Sequence, residues 1–271
     1  MQRTVFYVSD STGITAETIG HTMLTQFEGI RFDTYRLPFV DSVKKAKAAA
    51  LRIRSSWARD GMRPVVINTV IDTELSAILA DTGALILDVF APFIAPLEAE
   101  IGVRRKPAVN RAHGLVDFTK YEARIDATNY AMSHDDGINV NFDQADLILL
   151  GVSRSGKTPT CLYMALHFGL RAANYPLTPD DLEDGYLPQR LHPFHDRLFS
   201  LTIDAERLAH IRSERRPNSR YASQQQCHWE LERAERLFKR ERIPMLDTTH
   251  TSVEEISGKV LEGLRIERRL L

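Results

Sequence analysis

Residues Gly151–Thr158 read GVSRSGKT and fit the spacing G-x-x-x-x-G-K-[ST], which restricts what the surrounding chain can be. Glycines at both ends let the backbone curl until successive N–H groups face phosphate oxygens, and the helix that follows presents its positive end. In that setting Lys157 reaches a bridging or terminal phosphate oxygen, and Thr158 offers its hydroxyl to Mg²⁺. The flanks agree. Asp146–Leu150 (DLILL) is a short apolar run suited to a buried strand, and Pro159 is tolerated in a first helical turn. Leu162, Ala165 and Leu166 then follow at helical spacing. Gly151, Val152, Ser153, Arg154, Ser155, Gly156, Lys157 and Thr158 are therefore the expected nucleotide-binding residues, with Lys157 in the catalytic role and Thr158 as metal ligand.

The rest of the 271 residues allows one large or two medium domains. A formal charge of −1 argues against a general nucleic-acid surface, and Cys161 and Cys227 make neither a disulfide framework nor a zinc spacing. The N-terminus has no basic stretch followed by an apolar run, and no apolar stretch is long enough to span a bilayer, so a cytoplasmic location is expected.

Upstream of the phosphate loop the chain alternates between apolar, strand-like runs and helical patterns. Thr4–Val8, Phe32–Leu37, Pro64–Val70 and Leu85–Phe90 read as strands; Val43–Trp57 and a stretch near Glu74–Leu79 read as helices. Ala16, Ile19, Met23 and Phe27 share one face of a helix after the first strand. This rhythm predicts a mainly parallel α/β sheet over residues 1–105. Between that strand and helix lies Ser9-Asp10-Ser11-Thr12-Gly13. Ser9, Ser11 and Thr12 suit oxyanion binding at the carboxyl end of a strand, and they suit turns and helix caps equally well.

Residues 106–143 read as a connector with a helix over Val116–Met132. His113, His134, Asp135 and Asp136 are tempting acid–base or metal groups, although HDDG at 134–137 reads more simply as a solvated helix end. Residues 144–271 then read as a kinase-like α/β domain. Asp180 and Asp181 are candidates to take a proton from an acceptor hydroxyl, or else caps of a short helix. Asp204, after the strand Leu198–Ile203, is read as a helix cap in preference to a Walker B carboxylate. Arg212, Arg215 and Arg216 lie in a stretch rich in cations, and they suit either a lid over phosphates or a solvated face. Trp229, Leu231, Ala234 and Phe238 are assigned to a packing helix. Ser252 and Glu255 make a capping box for a last helix.

The combination of SDSTGITAETIG (9–20), HDDG (134–137), GVSRSGKTPT (151–160), ANYPL (173–177) and LTID (201–204) resembles the bacterial phosphoenolpyruvate synthase regulatory proteins. Their plant relatives act on pyruvate, phosphate dikinase. The resemblance covers nearly the whole chain. It implies an ADP-dependent kinase that inactivates its protein target by phosphorylating a threonine or serine. It also implies a phosphorylase that uses inorganic phosphate to remove that group as pyrophosphate, and it further implies a homodimer. There is no GxGxxG, HRD or DFG of the eukaryotic kinase type. An ATP-dependent small-molecule kinase and a non-catalytic nucleotide sensor are the competing readings.

Overall fold

The computed structural model describes residues 2–105, 118–134 and 141–266. The chain divides into two compact units, Met1–Val116 and Asp117–Leu271. In the first, strands β1 (Gln2–Val8), β2 (Arg31–Leu37), β3 (Val65–Asn68) and β4 (Leu85–Asp88) form a parallel sheet in the order β2-β1-β3-β4. The alternation in β1 sorts its side chains between two layers. Phe6 and Val8 join Ala46, Ala49 and Ile53 of α2 (Val43–Asp60) and Leu75 and Leu79 of α3 (Thr73–Ala80). Val5 and Tyr7 face the other way, with Ile67 and Ala16 of α1 (Ile14–Leu24).

One expectation is corrected here. Of the expected packing face Ala16 is buried, but Ile19, Met23 and Phe27 are exposed, and α1 buries Gly20 in their place. A Cβ at Gly20 would stand 2.4 Å from Tyr7 Cε1, so the missing side chain sets how closely helix and sheet approach. Residues 91–101, which carry no clear periodicity in the sequence, form α4 (Ala91–Ile101) despite Pro96 inside it.

The second unit repeats the plan. Strands β5 (Leu147–Gly151), β6 (Ala172–Pro176), β7 (Leu198–Thr202) and β8 (Met245–Asp247) are parallel in the order β6-β5-β7-β8. Leu147–Leu150 are fully buried, and each such side chain stabilises the fold by about 1.5–3 kcal/mol. Helix α5 (Phe118–Ser133) falls in the span expected to be a connector. Its Ala127 and Ala131 pack with Leu147, Leu149 and Ala172, so the helix belongs to this core. Helices α6 (Lys157–Phe168) and α10 (Val253–Gly263) share that layer, while α8 (Ala205–Arg215) and α9 (Gln224–Arg240) cover the other. Leu231, Ala234 and Phe238 of α9 are buried as expected, and Trp229 is half-buried against them. Asp204 caps α8, accepting from the Glu206 and Arg207 N–H groups, and the Ser252–Glu255 capping box is present. No helix among the described residues is long and apolar enough to cross a membrane.

Candidate functional site

The loop from β5 into α6 is shaped by its two glycines for different reasons. A Cβ at Gly151 would lie 2.5 Å from the Leu201 carbonyl oxygen and 2.6 Å from Ser155 Oγ, so no side chain fits. Gly156 has space around it but is the left-handed N-cap of α6, at φ 90° and ψ 5°. Arg154 is also left-handed, at φ 76°, which costs a non-glycine residue about 1–2 kcal/mol. Such reversals of hand turn successive N–H groups toward one side and make an anion-binding concavity.

Lys157 is 5% exposed and its ammonium donates to the Val152 carbonyl at 2.8 Å. The Thr158 hydroxyl accepts from the Asn174 amide at the end of β6, at 3.4 Å. Thr248 after β8 donates to the Ser155 carbonyl at 3.2 Å, which ties down the far side of the loop. Ser155 Oγ is buried and has no hydrogen-bond partner among the described residues. Above the loop lies a cavity of about 670 Å³. Arg154, Lys157 and Thr158 line it from the loop, Asn174 from β6, and Arg215 and Arg216 from the end of α8.

Arg212, expected among the phosphate-binding cations, does something else. It is fully buried, with its guanidinium 2.6 Å from the Glu230 carboxylate of α9. It also donates to the Ser153 carbonyl inside the phosphate loop at 3.0 Å and to the Tyr221 carbonyl at 3.0 Å, and it stacks 4.1 Å over the Tyr221 ring. The Tyr221 hydroxyl in turn pairs with Ser153 Oγ at 2.8 Å. A charge this deep persists because every donor direction has a partner. Arg212 is thus a brace that fixes the loop, and no part of it reaches the cavity. Burial pushes the neighbouring Cys227 thiol above its ordinary value, against the opposing pull of Arg212.

The acidic pair after β6 divides. Asp181 is the third residue of α7 (Pro179–Asp184) and sits in a capping box, its carboxylate accepting from the Thr178 N–H at 2.9 Å while Thr178 Oγ1 accepts from the Asp181 N–H. Asp180 is exposed in the same turn. Ser9, Ser11 and Thr12 lie in the first unit. Ser9 Oγ accepts from the Ser11 N–H at 3.1 Å, and the buried Asp10 carboxylate accepts from the Ile71 N–H at 2.8 Å. Thr12 is exposed. His113, Asp135 and Asp136 lie outside the described residues; His134 directly follows α5, with its ring stacked 3.9 Å from Tyr130. Among the described residues no group of three His, Cys, Asp or Glu side chains is placed to hold a metal.

Sequence reasoning missed Asn174, Tyr221, Glu230 and Thr248. Glu230 carried a usable signal, since it falls on the apolar stripe Cys227-Leu231-Ala234-Phe238 and a buried acid requires a buried cation.

Comparison with known proteins covers both units. Residues 5–261 match the model of a family described as kinase/pyrophosphorylase. A protein of Xanthomonas campestris pv. campestris (strain B100) is 59% identical over 268 residues, covering 99% of this chain and 98% of the relative. A protein of Stenotrophomonas maltophilia (strain K279a) matches with the same identity and coverage. Both carry the name "Putative phosphoenolpyruvate synthase regulatory protein". A family match and relatives of this identity along nearly the full length place the chain in the kinase/pyrophosphorylase family.

Proposed function

We propose that this protein regulates phosphoenolpyruvate synthase by moving a phosphoryl group on and off a threonine or serine of that enzyme. In the forward direction the target hydroxyl attacks the β-phosphorus of ADP, the bridging P–O bond breaks, and AMP leaves as the hydroxyl proton passes to a base. In the removing direction inorganic phosphate attacks the phosphothreonine phosphorus, and the products are pyrophosphate and the free hydroxyl.

The observation that carries the reading is the phosphate cavity, with Lys157 on one side and Arg215 and Arg216 on the other. Phosphoryl transfer asks a protein chiefly for positioning and for cations around the spreading equatorial charge, and this cavity supplies both. Mg²⁺ would be held by the Thr158 hydroxyl together with phosphate oxygens, as Mg²⁺ in phosphoryl-transfer sites commonly is. Asp180 is the better candidate for the proton-accepting base, because the Asp181 carboxylate is committed to Thr178. The names of the relatives support this choice of target.

The test incubates the pure protein with phosphoenolpyruvate synthase, Mg²⁺ and either ADP or ATP, following synthase activity and its phosphothreonine. ADP-dependent loss of activity, reversed by phosphate with release of pyrophosphate, is the expected result. Turnover of ATP on a small molecule with no effect of ADP would overturn it. We further propose that inorganic phosphate uses the same loop, in the position vacated by the β-phosphate. Lys157→Ala then loses both activities, whereas retained phosphorylase activity would move the phosphate site elsewhere, to Ser9, Ser11 and Thr12 in the first instance.

A further inference from the structure

A second cavity, of about 560 Å³, adjoins the phosphate cavity in the same unit, and Tyr221 lines both. Its walls are Pro179 and Glu183 of α7, Arg220 and Tyr221 of the 3-10 turn Arg220–Ala222, and Gln225 and Trp229 of α9. The Trp229 ring is held from behind. The Arg233 guanidinium lies 5.0 Å over it and also donates to the Leu182 carbonyl at 3.1 Å, so the indole is fixed against α7 before anything binds. Glu230 also lines this cavity, but its carboxylate is occupied by Arg212 and by the Gln226 amide at 3.0 Å. The deep wall is therefore electrically neutral. What the remaining walls offer a ligand is an aromatic plane beside a proline, the exposed Gln225 amide, and one exposed charge of each sign, Arg220 and Glu183. That chemistry suits an extended peptide that lays an apolar side chain on the ring and turns polar groups toward the amide and the two charges.

Its position also decides between the two halves of a phosphoryl-transfer reaction. The Thr158 hydroxyl, joined to Asn174, marks the flank of the loop where a cation and the transferring group belong. Asn174 lies on β6, and β6 leads directly into α7, whose Pro179 and Glu183 wall the second cavity. The opposite flank is closed by Thr248 on the Ser155 carbonyl. The cavity thus opens on the acceptor side.

We infer that this cavity receives the segment of the protein substrate that carries the acceptor hydroxyl, with Trp229 as its anchor. The inference rests on the reading of the protein as a protein kinase. Because the Tyr221 hydroxyl is paired with Ser153 of the phosphate loop, a segment lying against Tyr221 bears on the group that shapes the nucleotide site.

The experiment uses the full chain with phosphoenolpyruvate synthase and two variants. Trp229→Ala removes the anchor; Gln225→Trp fills the mouth from an exposed position and leaves the core packing alone. Each is assayed for synthase KM and kcat, for ADP affinity by calorimetry, and for binding to immobilised synthase. Both variants are expected to raise KM for the synthase by about tenfold or more, the size of an aromatic hot spot, with ADP affinity unchanged. Weakened ADP binding with an unchanged synthase KM would make the cavity a nucleoside subsite and overturn the inference. Wild-type turnover with an unchanged synthase KM in Gln225→Trp would overturn it too, while leaving the kinase reading intact. Should the wild type transfer no phosphoryl group, the kinase reading fails and immobilised binding decides. Weaker binding by both variants supports the cavity as the partner site, and unchanged binding refutes it.

Discussion

The two units are built on one plan and put it to different use. Each has four parallel strands with the first inside the second and third, and in each a glycine in the left-handed region starts the helix after that first strand. Gly13 at φ 83° and ψ 0° and Gly156 at φ 90° and ψ 5° are nearly superimposable as backbone conformations. The side chains around them differ. After β1 the polar groups turn inward, with Asp10 and Ser9 capping neighbouring N–H groups and the Phe39 and Val40 N–H groups bonded to the Ser11 and Ser9 carbonyls. After β5 the loop's neighbours brace it from outside, through Arg212, Tyr221 and Thr248, and a cavity with three arginines and a lysine stands over it. A shared backbone thus carries two different polar surroundings. The difference lies in what does the bracing: main-chain N–H groups of Ile71, Phe39 and Val40 at the first loop, and the side chains of Arg212, Tyr221 and Thr248 at the second.

Removing the scaffold tests this most severely. Arg212→Leu leaves Glu230 buried without its cation, and the second unit should lose about 3–5 kcal/mol, seen as a lower denaturant midpoint. In the first loop Asp10→Ala leaves the part-buried Ile71 N–H without its acceptor and should cost less, about 1–3 kcal/mol. The glycines sharpen the contrast further. Gly151→Ala drives a Cβ into the Leu201 carbonyl and should abolish the native loop, whereas Gly13→Ala meets nothing closer than 3.8 Å and should cost only the backbone strain, about 1–2 kcal/mol. Thermal melts of the two variants in parallel would expose the asymmetry.

Alkaline pH gives a subtler handle on the second unit. Burial pushes the Tyr130 hydroxyl up to about 12, and the group donates to the Asn141 carbonyl. Its pKa in the folded state is above the unfolded value, so its contribution is complete below about pH 10 and is lost as pH rises toward 12. Tyr130→Phe should flatten the stability loss in that window, measured by unfolding at successive pH values. The smallest effect is expected at Ser155. Its hydroxyl is buried without a partner among the described residues, so Ser155→Ala should leave stability unchanged or raise it by under about 1 kcal/mol.

The parts legible in the sequence are those written in local spacing. The phosphate loop, the Asp204 cap and the Ser252–Glu255 box each depend on residues a few positions apart, and the alternating strands announced a parallel sheet. The brace was not legible. Arg212 stands beside Arg215 and Arg216 in a run that reads as one basic patch, and what separates it is a carboxylate eighteen positions downstream. Helix α4 was hidden because Pro92 and Pro96 interrupt its periodicity, although a proline in the first turn is compatible with a helix. The apolar stripe of α1 misled for the opposite reason. Its large residues are exposed, and close contact with Tyr7 is made through a residue with no side chain at all.

The Cys227 thiol lies 3.7 Å from an Arg212 nitrogen, inside the brace that holds the loop. A cation so near would ordinarily favour the thiolate, yet burial dominates and the sulfur stays protonated. Oxidants and alkylating agents act on thiolates they can reach, so this cysteine is silent to both while the unit is folded. The brace around the loop is consequently kept apart from the redox state of its surroundings at the very point where a reactive sulfur would have coupled the two.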